Sequence, residues 1–354
     1  MKLLETYETG SLKLQNRIVM APMTRSRAIN NIPNELMAQY YEQRADVGLI
    51  VTEGIAPSGN GLGYPRIPGL FMKEQVEGFK AVTKAVHDRG AKIFAQLMHT
   101  GRVSHPENMP AGSRIVAPSP VSLEGEMYTD SKGPQPYPVP EEMNEDDIEQ
   151  ALQEYVTASR NAIEAGFDGV ELHGANGYLI DQFINTASNQ RKGKYAGSHE
   201  NRSRFAIEAA TRVSGAIGKE RTGIRLSPYG VFSGMEIFEG LEDTYEYLAK
   251  ELNRVGVLYI HTVDHSSMGS PEVTDSVKEK IRNAFKGTLI ASGGFDKEKA
   301  EKALQEGRAD LVAFGRPVLA NPNFAAKIKN GSPLNQPDFD TFYTPGEKGY
   351  TDYK

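Results

Sequence analysis

Residues 167–191 read FDGVELHGANGYLIDQFINTASNQR, and the first half of that stretch decides the fold. Phe167, Val170 and Leu172 form a short apolar run of buried-strand character that stops at His173, Gly174, Ala175, Asn176, Gly177 and Tyr178. A parallel strand delivers its carboxyl end to the edge of the sheet where α/β proteins bind ligands. Here that end carries an imidazole, a carboxamide and a phenol, separated by small residues. Those groups can donate hydrogen bonds to a carbonyl-like oxygen and supply a proton. Any one of them can simply cap a strand. Three at one strand end point to an active site.

Outward from this stretch, short apolar runs alternate with longer amphipathic ones along the whole chain. The strands predicted are Ile18–Ala21, Gly48–Thr52, Lys92–Leu97, Gly169–Leu172, Gly223–Leu226, Val257–His261, Thr288–Ala291 and Leu311–Phe314. Helical periodicity falls at Gln75–Arg89, Asp146–Ala165, Asn201–Ile217, Leu241–Val255 and Lys297–Gln305. Several of these helices run into glycine, at Gly90, Gly166, Gly256 and Gly307. Eight strands alternating with helices predict an α/β protein, a (β/α)8 TIM barrel, with residues 1–354 as one domain. A doubly wound open sheet is the alternative. It is weakened because no G-x-G-x-x-G follows the first strand.

One connection breaks the rhythm. Residues 103–144, after the third strand, hold eight of the 20 prolines and show no helical period. An irregular insertion of that length is a linker or a functional lid. Its Val121, Leu123, Tyr128 and Tyr137 favour an ordered cap with a small hairpin over the active-site face. The acidic run Glu141–Asp147 then suits the start of the following helix.

Composition excludes several classes. The chain of 354 residues has a net charge of −6 with its Lys and Arg scattered, which argues against a nucleic-acid partner. There is no cysteine, so disulfides, thiolate metal clusters and a thiol nucleophile are all excluded. The segment MKLLETYETGSL lacks a signal-peptide core, and no stretch approaches the ~18 apolar residues of a membrane span. A cytoplasmic protein without membrane partners is expected, as a monomer or weak homo-oligomer.

Each strand's carboxyl end offers usable groups. Pro22, Met23 and Thr24 follow the first strand, and Glu53 and Gly54 close the second, with Tyr64 beyond. The third gives Gln96, Met98 and His99, and the fifth gives Arg225, Ser227 and Tyr229. Gly293, Gly294 and Phe295 follow strand seven; Gly315 and Arg316 follow strand eight. Paired glycines there match the phosphate site common in this fold, with Arg316 to neutralise a dianion.

NRIVMAPMTRSRA, GLIVTEG, GLGYPRIPGL, AQLMHTGR, FDGVELHGANGYLIDQF, IRLSP, SGGF, VAFGRP and the tail FYTPGEKGYTDY together resemble the Old Yellow Enzyme family of FMN-dependent ene-reductases. The bacterial N-ethylmaleimide and pentaerythritol tetranitrate reductase branch is similar in feel. The resemblance implies FMN with its phosphate at Gly293, Gly294, Gly315 and Arg316. It implies Pro22, Met23 and Thr24 along the ring, Gly54 permitting close backbone approach, Gln96 at the pyrimidine edge and Arg225 near N1 and O2. It further implies that His173 and Asn176 bind the substrate oxygen, that hydride passes from flavin N5 to Cβ, and that Tyr178 protonates Cα. Tyr64, Met98 and Tyr343 would line the pocket. NADPH or NADH would re-reduce the flavin at the same site in a ping-pong cycle, with an electron-poor alkene as the second partner.

Two departures stand out. Met98 occupies a position where the family often has tryptophan, and the chain has no Trp. Thr24 stands where another branch has cysteine. His261, Asp264 and His265 form an H-x-x-D-H spacing that suggests metal ligands, but without a second acidic or sulfur cluster they read as surface or loop histidines and no metal is expected. A Schiff-base aldolase fails because no strand ends in lysine. A non-catalytic flavin-binding barrel, or a reductase mainly of nitro compounds or nitrate esters, remains as an alternative.

Overall fold

All eight apolar runs form parallel strands, and the strands close on themselves. In the computed structural model, which describes residues 1–10 and 12–354, they are β1 (Ile18–Met20), β2 (Leu49–Ile55), β3 (Lys92–Leu97), β4 (Gly169–Gly174), β5 (Thr222–Leu226), β6 (Tyr259–Val263), β7 (Thr288–Ser292) and β8 (Leu311–Phe314). Pairing of Phe314 with Met20 joins β8 to β1 and completes the barrel. One outer helix follows each strand: α1 (Glu35–Glu42), α2 (Lys73–His87), α3 (Glu145–Glu164), α4 (His199–Ile217), α5 (Leu241–Val255), α6 (Asp275–Ala284), α7 (Lys297–Gln305) and α8 (Phe324–Asn330). The expected eight-stranded α/β barrel is therefore the fold, and the open-sheet alternative is not.

Strand alternation sorts side chains into two layers. Along β4, Val170 and Leu172 face outward, where they share a buried cluster with Phe79 of α2, Leu152 of α3 and Phe205 of α4. Phe94 and Tyr259 point inward and fill the barrel beside Val19, Val51 and Ile290. Two glycines make room for those rings. Gly169 pairs with Phe94 and Gly223 with Tyr259. A Cβ on Gly169 would stand 2.5 Å from Phe94 Cζ, closer than real carbons approach.

The acidic run before α3 behaves as its composition suggests. The Asn144 side chain accepts from Asp147 N–H, and Asp147 accepts from Asn144 N–H in return. Glu145, Asp146 and Asp147 occupy the first turn, favourable beside the helix's positive end.

Residues 103–144 are ordered into short pieces. Val116–Ala117 pairs in parallel with Glu141–Glu142, and Glu126–Thr129 forms an antiparallel hairpin with Gly133–Pro136. Arg102 donates to the Val121 carbonyl, and the Asn108 amide to the carbonyls of Gly63 and Tyr128. These bonds tie the segment to the loops at the carboxyl end of the barrel. A second hairpin, Tyr7–Thr9 with Leu12–Leu14, went unread in the sequence. Leu12 and Leu14 pack under Phe94, Leu258 and Leu311 and so floor the barrel at its opposite end.

Candidate active site

His173 is the penultimate residue of β4, and its neighbour β5 presents Arg225 at the same level. Both side chains are buried, at 3 % and 6 % exposure, and among the described residues His173 Nδ1 and Arg225 Nε have no hydrogen-bond partner. Burial, reinforced by the Arg225 charge, holds the His173 imidazole well below its ordinary pKa, so it is neutral at pH 7. A buried guanidinium with no acceptor among the described residues is costly unless a ligand supplies one. This pair can meet electron-rich atoms from outside the chain.

The turn after β4 is fixed from three directions. Asn176 adopts a left-handed φ of 61°. Its N–H donates to Ser227 Oγ at 2.9 Å, and the next N–H, of Gly177, donates to Asp181 at 2.9 Å. Gln182 donates to the carbonyls of Gly177 and Thr100. Tyr178 then packs edge-on against His173, with ring centres 4.8 Å apart, and its hydroxyl donates to Tyr64 Oη at 3.0 Å. Burial raises the Tyr178 phenol to about 12. His173, Asn176, Tyr178 and Tyr64 are thus brought together as expected. Ser227, expected among the usable groups after the fifth strand, acts here by fixing the turn, whereas Asp181 and Gln182 went unread as site residues in the sequence. A polar pair inside the apolar run LIDQFI was the available signal, since buried polar groups need partners.

Below His173 lies a fully buried network. Gln96 Nε2 donates to Glu171 at 2.8 Å, the other Glu171 oxygen is 2.9 Å from His261 Nδ1, and His261 Nε2 is 3.1 Å from Ser292 Oγ. The Ser292 hydroxyl donates to the Thr262 carbonyl at 3.1 Å, so its proton is directed away from His261. The order serine, histidine, acid imitates a hydrolytic triad, but the serine is buried and spends its proton on a main-chain carbonyl instead of on the imidazole. The reading of His261 as a surface or loop histidine is corrected here: it lies within β6 with no exposure. Both its nitrogens are engaged. Asp264 meanwhile accepts from Ser266 N–H, and His265 turns to Asn176, so the H-x-x-D-H residues diverge.

The residues expected around a flavin ring the same end of the barrel. Pro22, Met23 and Thr24 leave β1, next to Gly315 and Arg316 after β8 and to Gly293, Gly294 and Phe295 after β7. Gly293 has a φ of 117°, and a Cβ there would collide with the backbone of Asp264. The Arg316 guanidinium has neither ion pair nor hydrogen bond among the described residues. It stands 5.9 Å from the Phe339 ring. Free donors at Arg225 and Arg316, with glycine backbone between the strand ends, fit a ligand carrying a polar ring edge and a phosphate. Gln96 fits too, since its amide nitrogen is committed to Glu171 and leaves its oxygen for an N–H. Phe295 packs partly against the outer core.

Gly54 has a further cause. A Cβ there would stand 2.5 Å from Met98 Cε, so the glycine makes room for the methionine. Met98 is buried with Ala56, Leu62 and Ile67, and Tyr64 and Tyr178 border that cluster. Tyr343 stands at the rim, 61 % exposed, with its carbonyl accepting from Arg66.

Comparison with known proteins agrees with this geometry. Residues 2–335 match the model of the NADH:flavin oxidoreductase / NADH oxidase family. A probable flavin mononucleotide-dependent alkene reductase of Leishmania infantum is 42 % identical over 99 % of this chain and 96 % of its own. Putative 12-oxophytodienoate reductase 3 of Oryza sativa subsp. japonica is 41 % identical over 99 % and 92 %. Among solved structures, morphinone reductase superposes with a TM-score of 0.96 at 40 % identity, over 99 % of this chain and 96 % of that one. The old yellow enzyme homologue from Zymomonas mobilis gives 0.95 at 39 % identity, over 100 % and 99 %. A non-catalytic flavin barrel is thereby set aside. By these matches the chain belongs to the NADH:flavin oxidoreductase / NADH oxidase family, the Old Yellow Enzyme family, and is an FMN-dependent NAD(P)H oxidoreductase.

Proposed function

We propose that this enzyme reduces activated C=C bonds of α,β-unsaturated carbonyls, maleimides and nitroalkenes, with NADPH or NADH as the electron donor. The observation that carries the reading is one turn bearing two free donors and a buried phenol. Neutral His173 has one N–H to give. The Asn176 NH2 makes no hydrogen bond to another described residue. Together they would bind the substrate oxygen and stabilise negative charge as it gathers there, a contribution of about 3–4 kcal/mol per donor in comparable oxyanion sites.

FMN would be held by Pro22, Met23, Thr24, Gln96 and Arg225 along its ring and by Gly293, Gly294, Phe295, Gly315 and Arg316 at its phosphate. The hydride that adds to Cβ is what reduced FMN supplies when bound. Tyr178, neutral at pH 7 because burial raises its pKa, would deliver the proton to Cα. Tyr64 supports that step: its hydroxyl, 3.0 Å away, can turn to donate to the Tyr178 phenolate left behind. We further assign the segment 103–144 as a cap that excludes water from this pocket; the bonds from Arg102 and Asn108 support it.

Tyr178→Phe tests the proposal. Reoxidation of the reduced enzyme by 2-cyclohexen-1-one, followed by stopped flow, should slow about 10²-fold or more, as loss of a general acid does. Reduction by NADPH should stay within a few fold of wild type. Equal slowing of both half-reactions would reject Tyr178 as the proton donor.

A further inference from the structure

The loop after β6 brings a second imidazole to the Asn176 carboxamide. His265 Nε2 lies 2.6 Å from Asn176 Oδ1, across 89 residues of chain. A carboxamide oxygen only accepts, so the shared proton belongs to His265. The ring is clamped in place. Phe232 packs edge-on against it, with centres 4.7 Å apart at 87°, and its exposure is 8 %. The His265 carbonyl accepts from the N–H groups of Met268 and Ser270. Asp264, the preceding residue, accepts from Ser266 N–H at 2.9 Å and Val273 N–H at 3.3 Å. Burial holds His265 down to about 4, so at pH 7 it is neutral and carries a single N–H.

A carboxamide can face a ligand with either end, as donor or as acceptor. Because His265 takes the oxygen, the Asn176 NH2 is the end left free. Neutral His173 supplies only one donor, so the polarity of the clamp depends on which end Asn176 presents. We infer that His265 is a positioning residue: its Nε2–H fixes Asn176 as a donor and so selects substrates whose activating group is an acceptor-only oxygen. Ketones, aldehydes and nitro groups satisfy that condition. This rests on the reading that Asn176 binds the substrate oxygen.

The test uses FMN-loaded protein and calorimetric titration of 4-chlorophenol, whose anion offers one accepting oxygen and no second hydrogen-bonding group. Four variants are compared with wild type: His265→Phe, His265→Gln, Asn176→Ala, and the His265→Phe/Asn176→Ala pair. Phenylalanine keeps the packing on Phe232 without a donor, whereas glutamine restores an N–H. Tenfold or greater weakening is expected in His265→Phe, with affinity recovered to within about threefold in His265→Gln, and the double variant no weaker than Asn176→Ala alone. FMN content and melting temperature guard against general disruption. If Asn176→Ala weakens binding while His265→Phe does not, or if the two losses simply add, the positioning role is overturned and the substrate reading stands. If Asn176→Ala leaves affinity unchanged, that reading itself falls, and the role of His265 with it.

Discussion

Met98 fills the space above Gly54. Its methyl occupies the space a Cβ on Gly54 would fill, and its flexible thioether borders Tyr64 and Tyr178. A rigid indole cannot adopt that path, so Met98→Trp should push ring atoms towards the substrate. Chiral analysis of the product from a 2-substituted cyclohexenone should show a changed enantiomer ratio or a several-fold loss of rate; identical stereochemistry and rates would reject Met98 as a selectivity residue. At this scale the sequence reveals groups that share one strand end. His173, Asn176 and Tyr178 were legible because six residues carry all three. His265 was visible only as part of a spacing that suggested metal. Its partner lies 89 residues away, and no local pattern encodes a contact between the loops of β4 and β6.

The short helix Leu179–Ile184 holds the turn before it through one buried acid. Burial pushes the Asp181 carboxyl up to about 7, against ~3.9 in an unfolded chain. Between those values the unfolded carboxyl has lost its proton and the folded one keeps it, so this group's contribution to stability falls as pH rises from about 4 to 7 and stays lost above. Asp181→Asn keeps an acceptor for Gly177 N–H without titrating. The variant should therefore gain on wild type between pH 5 and 8, by up to about 2–4 kcal/mol. Urea midpoints at the two pH values check this, and a constant difference would contradict it. Glu53, also raised to about 7, is common to both proteins and cancels. Elements with a clear period were legible to within about two residues, as with α3 expected at Asp146–Ala165 and found at Glu145–Glu164. The floor hairpin escaped because its strands, Tyr7–Thr9 and Leu12–Leu14, are too short to show one.

Across the whole molecule, the carboxyl-terminal segment is strapped to the residues that follow β1. Arg25 donates to the Gly349 carbonyl at 2.7 Å, Arg27 to Thr341 at 2.8 Å and Arg44 to Tyr350 at 3.1 Å. The Tyr350 ring stacks on Tyr40 with centres 4.0 Å apart, and the Arg27 guanidinium lies 4.7 Å from it. Tyr350→Ala should lower unfolding stability by about 3–5 kcal/mol. Arg25 adjoins Thr24, so the same variant should release FMN faster, as read by recovery of flavin fluorescence; a wild-type release rate would show the strap to be independent of the cofactor. None of this strap could be read from spacing, because it joins the two ends of the chain. The barrel could, since eight strand periods in order admit few other closures. The central claim, that this barrel carries FMN whose electrons pass to an electron-poor alkene held by His173 and Asn176, is met most directly by one anaerobic titration of the purified protein. The absorbance of oxidised flavin should bleach on adding NADPH or NADH and return on adding 2-cyclohexen-1-one, with one cyclohexanone formed per flavin. Protein that binds no FMN when offered an excess, or bleached flavin that the enone leaves reduced, would contradict it.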